Sequence, residues 1–105
     1  MIVREWRGAT RATDRDAYLA YLEATGLREY AATPGNRGVL ALTRDEQDRT
    51  EFVLLSFWER IEDIAAFAGP DIEQAVFYPE DDCFLIARDL RVKHYEAAVD
   101  SSRRA

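Results

Sequence analysis

The run Phe52-Val53-Leu54-Leu55-Ser56-Phe57-Trp58 constrains the fold of this chain more than any other segment. Its β-branched and aromatic residues read as a strand, and polar positions do not alternate along it, so both faces of that strand need cover. Side chains leave a strand on alternate sides, which puts Phe52, Leu54 and Trp58 on one face and Val53, Leu55 and Phe57 on the other. The helices of a short chain can cover only one of these faces. Three large apolar side chains left in water forfeit roughly 1.5 to 3 kcal/mol each, so the sequence predicts that a second copy of the chain covers the other face. A bent monomer whose loops fold over that face is the alternative.

At 105 residues the chain suits one core rather than two, so one site per subunit is expected. With 48% hydrophobic and 32% charged residues it has the balance of a folded globular domain, and disorder is expected only at the ends. The net charge of −6 opposes phosphate, and no Lys/Arg cluster is interleaved with aromatics, which argues against nucleic acid as a partner. A single cysteine, Cys83, excludes an internal disulfide and suits the cytoplasm, the expected location. The opening Met1-Ile2-Val3-Arg4-Glu5 lacks the basic flank and apolar run of a leader. No apolar stretch nears the ~18 residues that span a bilayer, so no membrane association is expected.

Along the chain, Ile2–Gly8 reads as a first strand. Thr13 before Asp14-Arg15-Asp16 predicts a capped helix from about residue 14, with Tyr18, Tyr21, Leu22 and Thr25 on its inward side. Gly26 can end that helix, or Leu27–Ala32 can extend it before Pro34-Gly35-Asn36 turns the chain. Gly38–Thr43 and Thr50–Trp58 form a hairpin around a charged tip, Arg44–Arg49. Ile61, Ile64, Ala65 and Ala68 carry a second helical period, stopped by Gly69-Pro70; a short turn follows from Asp71, and Tyr78-Pro79 ends it. After the acidic turn Glu80-Asp81-Asp82, the stretch from Cys83 to Tyr95 predicts one long last strand with a bulge. Residues 100–105 form a polar tail expected to be mobile. The order is βαββαβ: an α+β, ferredoxin-like domain over residues 1–99, with a four-stranded antiparallel sheet and helices on one face.

The segments Arg4-Glu5-Trp6-Arg7-Gly8, Phe57-Trp58-Glu59, Phe67-Ala68-Gly69, Phe77-Tyr78-Pro79-Glu80-Asp81 and Val92-Lys93-His94-Tyr95-Glu96 together resemble the antibiotic biosynthesis monooxygenase-like proteins. The resemblance covers residues 1 to 99 in order of elements. It implies a dimeric α/β barrel, in which two sheets meet back to back and each subunit holds a pocket between sheet and helices. Some members oxidise phenolic or quinol-type compounds with molecular oxygen and no cofactor. Others degrade haem, using an Asn on the first strand and a Trp and a His near the second helix. Here the first strand has no Asn and the matching positions are Phe67 and Phe77, which argues against haem.

Oxygenation without a cofactor needs a base to deprotonate the substrate and donors that hold the resulting anion. His94, the only histidine, titrates in the right range to be that base or to hydrogen-bond the substrate; an exposed or interfacial strand-end histidine is the alternative. Arg4 and Trp6 share one face of the first strand, so the cation can hold a phenolate while the indole stacks on its ring; a salt bridge over a core tryptophan is the alternative. Trp58, Phe67, Phe77 and Tyr78 supply an aromatic wall for a flat ligand, or plain core. Asp81 and Asp82 are adjacent on a turn with no His or Cys at ligand spacing, so no metal is expected. The charged tip has no glycine-rich phosphate cradle, and no Gly-x-Ser-x-Gly elbow or activated thiol points to hydrolysis. The expected function is a cofactor-free monooxygenase for a small aromatic or quinol-like substrate. A homodimer that only binds a small hydrophobic molecule, and an isomerase or lyase on the same scaffold, are the alternatives.

Overall fold

The structure, a computed structural model, describes residues 1–102; the last three residues of the predicted tail lie outside the described part. The chain forms β1 (Ile2–Arg11), a 3-10 turn (Ala12–Asp14), α1 (Arg15–Ala24), α2 (Gly26–Ala32), β2 (Asn36–Glu46), β3 (Arg49–Trp58), α3 (Ile61–Ala68), α4 (Asp81–Phe84), β4 (Leu85–Arg88) and β5 (Lys93–Glu96). The sheet runs in the order β2-β3-β1, and β4 and β5 share the outer edge of β1. All the pairings are antiparallel, with Ile2 opposite Trp58 and Arg11 opposite Arg49 along the central ladder. This is the ferredoxin-like α+β order, with its fourth strand position divided in two.

That division corrects the expectation of one long last strand. Cys83 and Phe84 belong to α4, and the ladder breaks between Arg88 and Lys93. The break has a hydrogen-bonding cause. Asp89 still donates its N–H to the Arg7 carbonyl at 2.9 Å, but the next residues turn to another partner: Ala75 N–H reaches Leu90 O at 3.0 Å and Val92 N–H reaches Glu73 O at 2.7 Å. The backbone groups that leave β1 are thus satisfied by the segment after α3.

Other boundaries differ as well: β1 runs on to Arg11 and β2 starts at Asn36. The hairpin tip is not the whole Arg44–Arg49 stretch: the ladder continues to Glu46 and Arg49, leaving only Gln47 and Asp48 in the turn, with Gln47 at φ 61°. Cross-strand pairs such as Arg44 with Glu51 let charged residues stay in register. The helix begins at Arg15 without a side-chain cap, because Asp14 is taken by the Arg11 guanidinium at 2.9 Å. Thr25 then interrupts it. Its hydroxyl donates back to the Tyr21 carbonyl at 2.7 Å, and α2 starts afresh on Gly26.

The two faces of β3 separate as its pattern predicts. Phe52, Leu54 and Trp58 are buried under the helices, while Val53, Leu55 and Phe57 are only half-buried. On the open face, Leu40 lies opposite Leu55 and Leu42 opposite Val53, and Leu40 and Leu42 are 39% and 43% exposed. The helix face holds two clusters, one around Trp6, Tyr18, Leu22 and Phe52 and one around Tyr30, Trp58 and Ile64. Among the described residues no helix is long and apolar enough to cross a membrane.

Candidate functional site

The two-residue period of β1 sends Arg4 and Trp6 to the helix face. Trp6 folds back over Gly8 so closely that a Cβ there would sit 2.4 Å from its ring, which makes glycine a steric requirement. The indole N–H donates to the Asp89 carbonyl at 3.0 Å, and Phe77 meets the ring edge-on at 6.4 Å. Trp6 is therefore fixed on three sides.

Arg4 is 2% exposed. Its Nη1 donates to the Ile72 carbonyl and to His94 Nε2, the latter at 3.1 Å; Nη2 donates to the Gln74 carbonyl at 3.0 Å; the Phe67 ring lies 5.8 Å from the guanidinium carbon. Its Nε has no hydrogen-bond partner, and among the described residues no carboxylate stands within ion-pair distance of it. Burial pushes the Arg4 pKa down and the neighbouring Tyr30 phenol acts against this, yet a guanidinium stays charged in proteins. A buried cation compensated by carbonyls, a histidine, the Tyr30 hydroxyl and rings, with no carboxylate paired to it among the described residues, is costly, and an incoming anion relieves that cost.

The contact with His94 fixes a tautomer. A guanidinium can only donate, so Nε2 accepts and the ring proton sits on Nδ1. Burial, and then the Arg4 charge, push the His94 pKa below 6.5, with Glu73 pulling the other way. The imidazole is neutral near pH 7, and its free lone pair is already occupied.

Beside Arg4 a cavity of about 30 Å³ opens between sheet and helices, walled by Trp6, Tyr30, Phe67, Phe77 and Tyr78 and reaching Tyr18 and Asp81. It has room for about two water molecules. A flat aromatic ligand is larger than this space, so its entry requires wall residues to shift. Of the residues singled out in the sequence, Arg4, Trp6, Phe67, Phe77 and Tyr78 meet at this cavity. Trp58 and His94 do not line it. Trp58 is fully buried behind Phe67 and Tyr30, its indole N–H donating to Ser56 Oγ at 2.9 Å, and His94 reaches the site only through Arg4.

Three polar wall residues escaped the sequence reading as site residues. Tyr18 is on the predicted inward face of the first helix, where nothing distinguishes a core tyrosine from a pocket one. Its hydroxyl donates to Asp81 Oδ1 at 3.1 Å, and the Tyr78 N–H donates to Asp81 Oδ2 at 2.7 Å. Burial, and then Asp81, push the Tyr18 pKa well up, and burial pushes Tyr78 up to about 12. Tyr30 stacks on Phe67 at 4.3 Å, and burial raises its pKa against the opposing charge of Arg4. Asp81 turns inward to 4% exposure while Asp82 turns outward to Arg88 at 2.7 Å, a choice made by the short helix α4 that the sequence pattern hides.

No family model matches the chain, and no curated protein matches it. Among solved structures it is similar to a crystal structure from Bacillus cereus described as a candidate antibiotic biosynthesis monooxygenase, with a TM-score of 0.62 and 14% sequence identity, covering 99% of this chain and 96% of the other. Likeness over nearly the full length of both chains shows a shared fold: the sheet, the helices on one face and the order of elements.

Proposed function

We propose that this chain is a cofactor-independent monooxygenase acting on a small aromatic or quinol-like substrate, and that it works as a homodimer in the cytoplasm. The observation that carries this reading is Arg4: a buried guanidinium with an unpartnered Nε–H and, among the described residues, no carboxylate within ion-pair distance, set in an aromatic wall. Such a site favours a flat ligand that carries, or develops, negative charge on an oxygen. The printed description of the Bacillus cereus structure and the shared scaffold support the same class of reaction.

For an anthrone-type substrate that binds as its enolate, the CH₂ proton has been given up to solvent water and the charge spreads onto the oxygen beside Arg4. The electron-rich carbon reduces molecular oxygen and forms a C–O bond, the resulting peroxide anion takes a proton back from water, and the hydroperoxide loses water. One oxygen atom becomes a carbonyl; the other departs as water with two substrate hydrogens. The aromatic walls limit the access of bulk water to these steps. Arg4 holds the anion, and His94 acts through Arg4, accepting its Nη1–H and fixing its orientation.

Oxygen-electrode measurements on the purified protein with a panel of hydroquinones and anthrones test this. Uptake above an Arg4→Ala control is expected, and no uptake across the panel overturns the oxygenase reading. A second reading, a dimer that binds a small aromatic molecule without transforming it, is favoured by the occupied Nε2 lone pair of His94. Ligand binding without oxygen uptake would establish it, whereas anaerobic turnover would point to an isomerase or lyase.

A further inference from the structure

Arg4 brings only part of its guanidinium to the cavity. The groups that take its Nη1 and Nη2 protons, the Ile72 and Gln74 carbonyls and His94 Nε2, belong to residues that do not line the cavity, whereas Arg4 does, with Tyr30 and Phe67 beside it. The edge turned away from those partners carries the Nε–H, which is buried and has no acceptor. The Tyr30 hydroxyl lies against the guanidinium and against Ser56, but with its pKa raised by burial it stays a neutral phenol near pH 7 and leaves the charge uncancelled. An arginine cannot shed its proton to escape the cost of burial. A full positive charge therefore stands at the wall of a space of about 30 Å³.

We infer that this space is a site for a small monovalent anion of the halide class, seated on the Arg4 Nε–H as the resident counter-ion of the guanidinium. Three features select that ligand. The space holds about two water molecules, so a halide fits it as it stands. Its walls include the rings of Trp6, Phe67 and Phe77, so an entering ion leaves most of its hydration behind, which costs a halide far less than a multiply charged oxyanion. The Asp81 carboxylate, 4% exposed, lines the same cavity and opposes any further negative charge. The inference rests on the reading of Arg4 as an anion holder, but it concerns the protein without substrate. A halide neutralises the buried cation until a substrate oxygen displaces it, so halides compete with substrate.

Both tryptophans of the chain are buried, Trp6 in the cavity wall and Trp58 behind Phe67, so they are shielded from collision with dissolved bromide. Fluorescence of the unmodified protein titrated with sodium bromide, with ionic strength held constant by gluconate, therefore reads occupancy of the site. Saturable quenching is expected, half complete at or below about 10 mM, reversed by chloride and not by sulfate. In Arg4→Gln half-saturation is expected at bromide concentrations at least about tenfold higher. Should that variant fold poorly, anomalous scattering from bromide within hydrogen-bonding reach of the Arg4 Nε in crystals of the unmodified protein is the expected result. Quenching that rises linearly or is absent, equal competition by sulfate, saturation unchanged in Arg4→Gln, or no bromide at Nε overturns the inference. Oxygen uptake without saturable quenching removes this inference alone, and saturable quenching without oxygen uptake across the aromatic panel removes the oxygenase reading alone.

Discussion

Arg4 and His94 stand opposite each other in the β1–β5 ladder, and the guanidinium donates to the imidazole Nε2 at 3.1 Å. Protonating His94 therefore sets a second cation against a buried one, which is why burial and Arg4 both lower its pKa from 6.5. The unfolded chain binds that proton more readily than the folded one, so stability falls as pH drops below about 6.5 toward the lower folded value and is full above it. Thermal unfolding is expected to show a lower melting temperature at pH 5.5 than at pH 7.5, with a smaller drop in His94→Gln. Identical drops in the two proteins would sink the assignment.

Gly8 gives a steric test. Any side chain there meets the Trp6 ring, with a Cβ at 2.4 Å, and the ring cannot yield easily because Asp89 and Phe77 hold it. Gly8→Ala is expected to cost about 1 to 3 kcal/mol by overpacking. The same substitution should alter the near-ultraviolet circular dichroism of Trp6. A denaturation midpoint unchanged from the parent would show that the indole has room to move.

The fold was legible because β3 announces itself. A run with apolar residues on both sides reads as a strand that needs cover on both faces, and the turn and helix signals around it point to one order of elements. Arg4 and Trp6 were legible for the same reason, since the two-residue period puts both on one face. Local pattern did not reveal long-range hydrogen bonding. Residues 90–92 look like strand but pair with residues 73–75, which divides the last strand. Nor does a sequence say which of two adjacent aspartates turns inward, because that depends on a helix of four residues positioned by Tyr18 and Tyr78. Trp58 looks equivalent to Trp6 in composition and face, yet α3 brings Phe67 between it and the cavity.

Ser56 illustrates how a polar residue inside the apolar run is required. It is 1% exposed and accepts the Trp58 indole N–H at 2.9 Å, and the Tyr30 phenol lies against it as well. Ser56→Ala leaves a buried donor unsatisfied, a loss of about 1 to 3 kcal/mol. Chemical denaturation should show it as a lowered midpoint with an unchanged slope. A loss well under this range would mean that the indole N–H finds another acceptor.

The open sheet face sets the last expectation. Leu40 and Leu55 form one cross-strand pair and Leu42 and Val53 the next, so the apolar surface is a continuous band rather than scattered side chains. A second copy placed back to back buries that band twice over, which drives association without any polar contact. Leu55→Glu puts a carboxylate at the centre of each half, where a twofold arrangement brings like charges into a dry interface. Sedimentation of the parent at micromolar concentration is expected to give twice the chain mass. The variant is expected to give a single chain with the far-ultraviolet spectrum retained, because Leu55 faces away from the helix-side core. A parent that sediments as a monomer would mean this face stays uncovered, and the pocket on the opposite side would then have to be explained within one subunit.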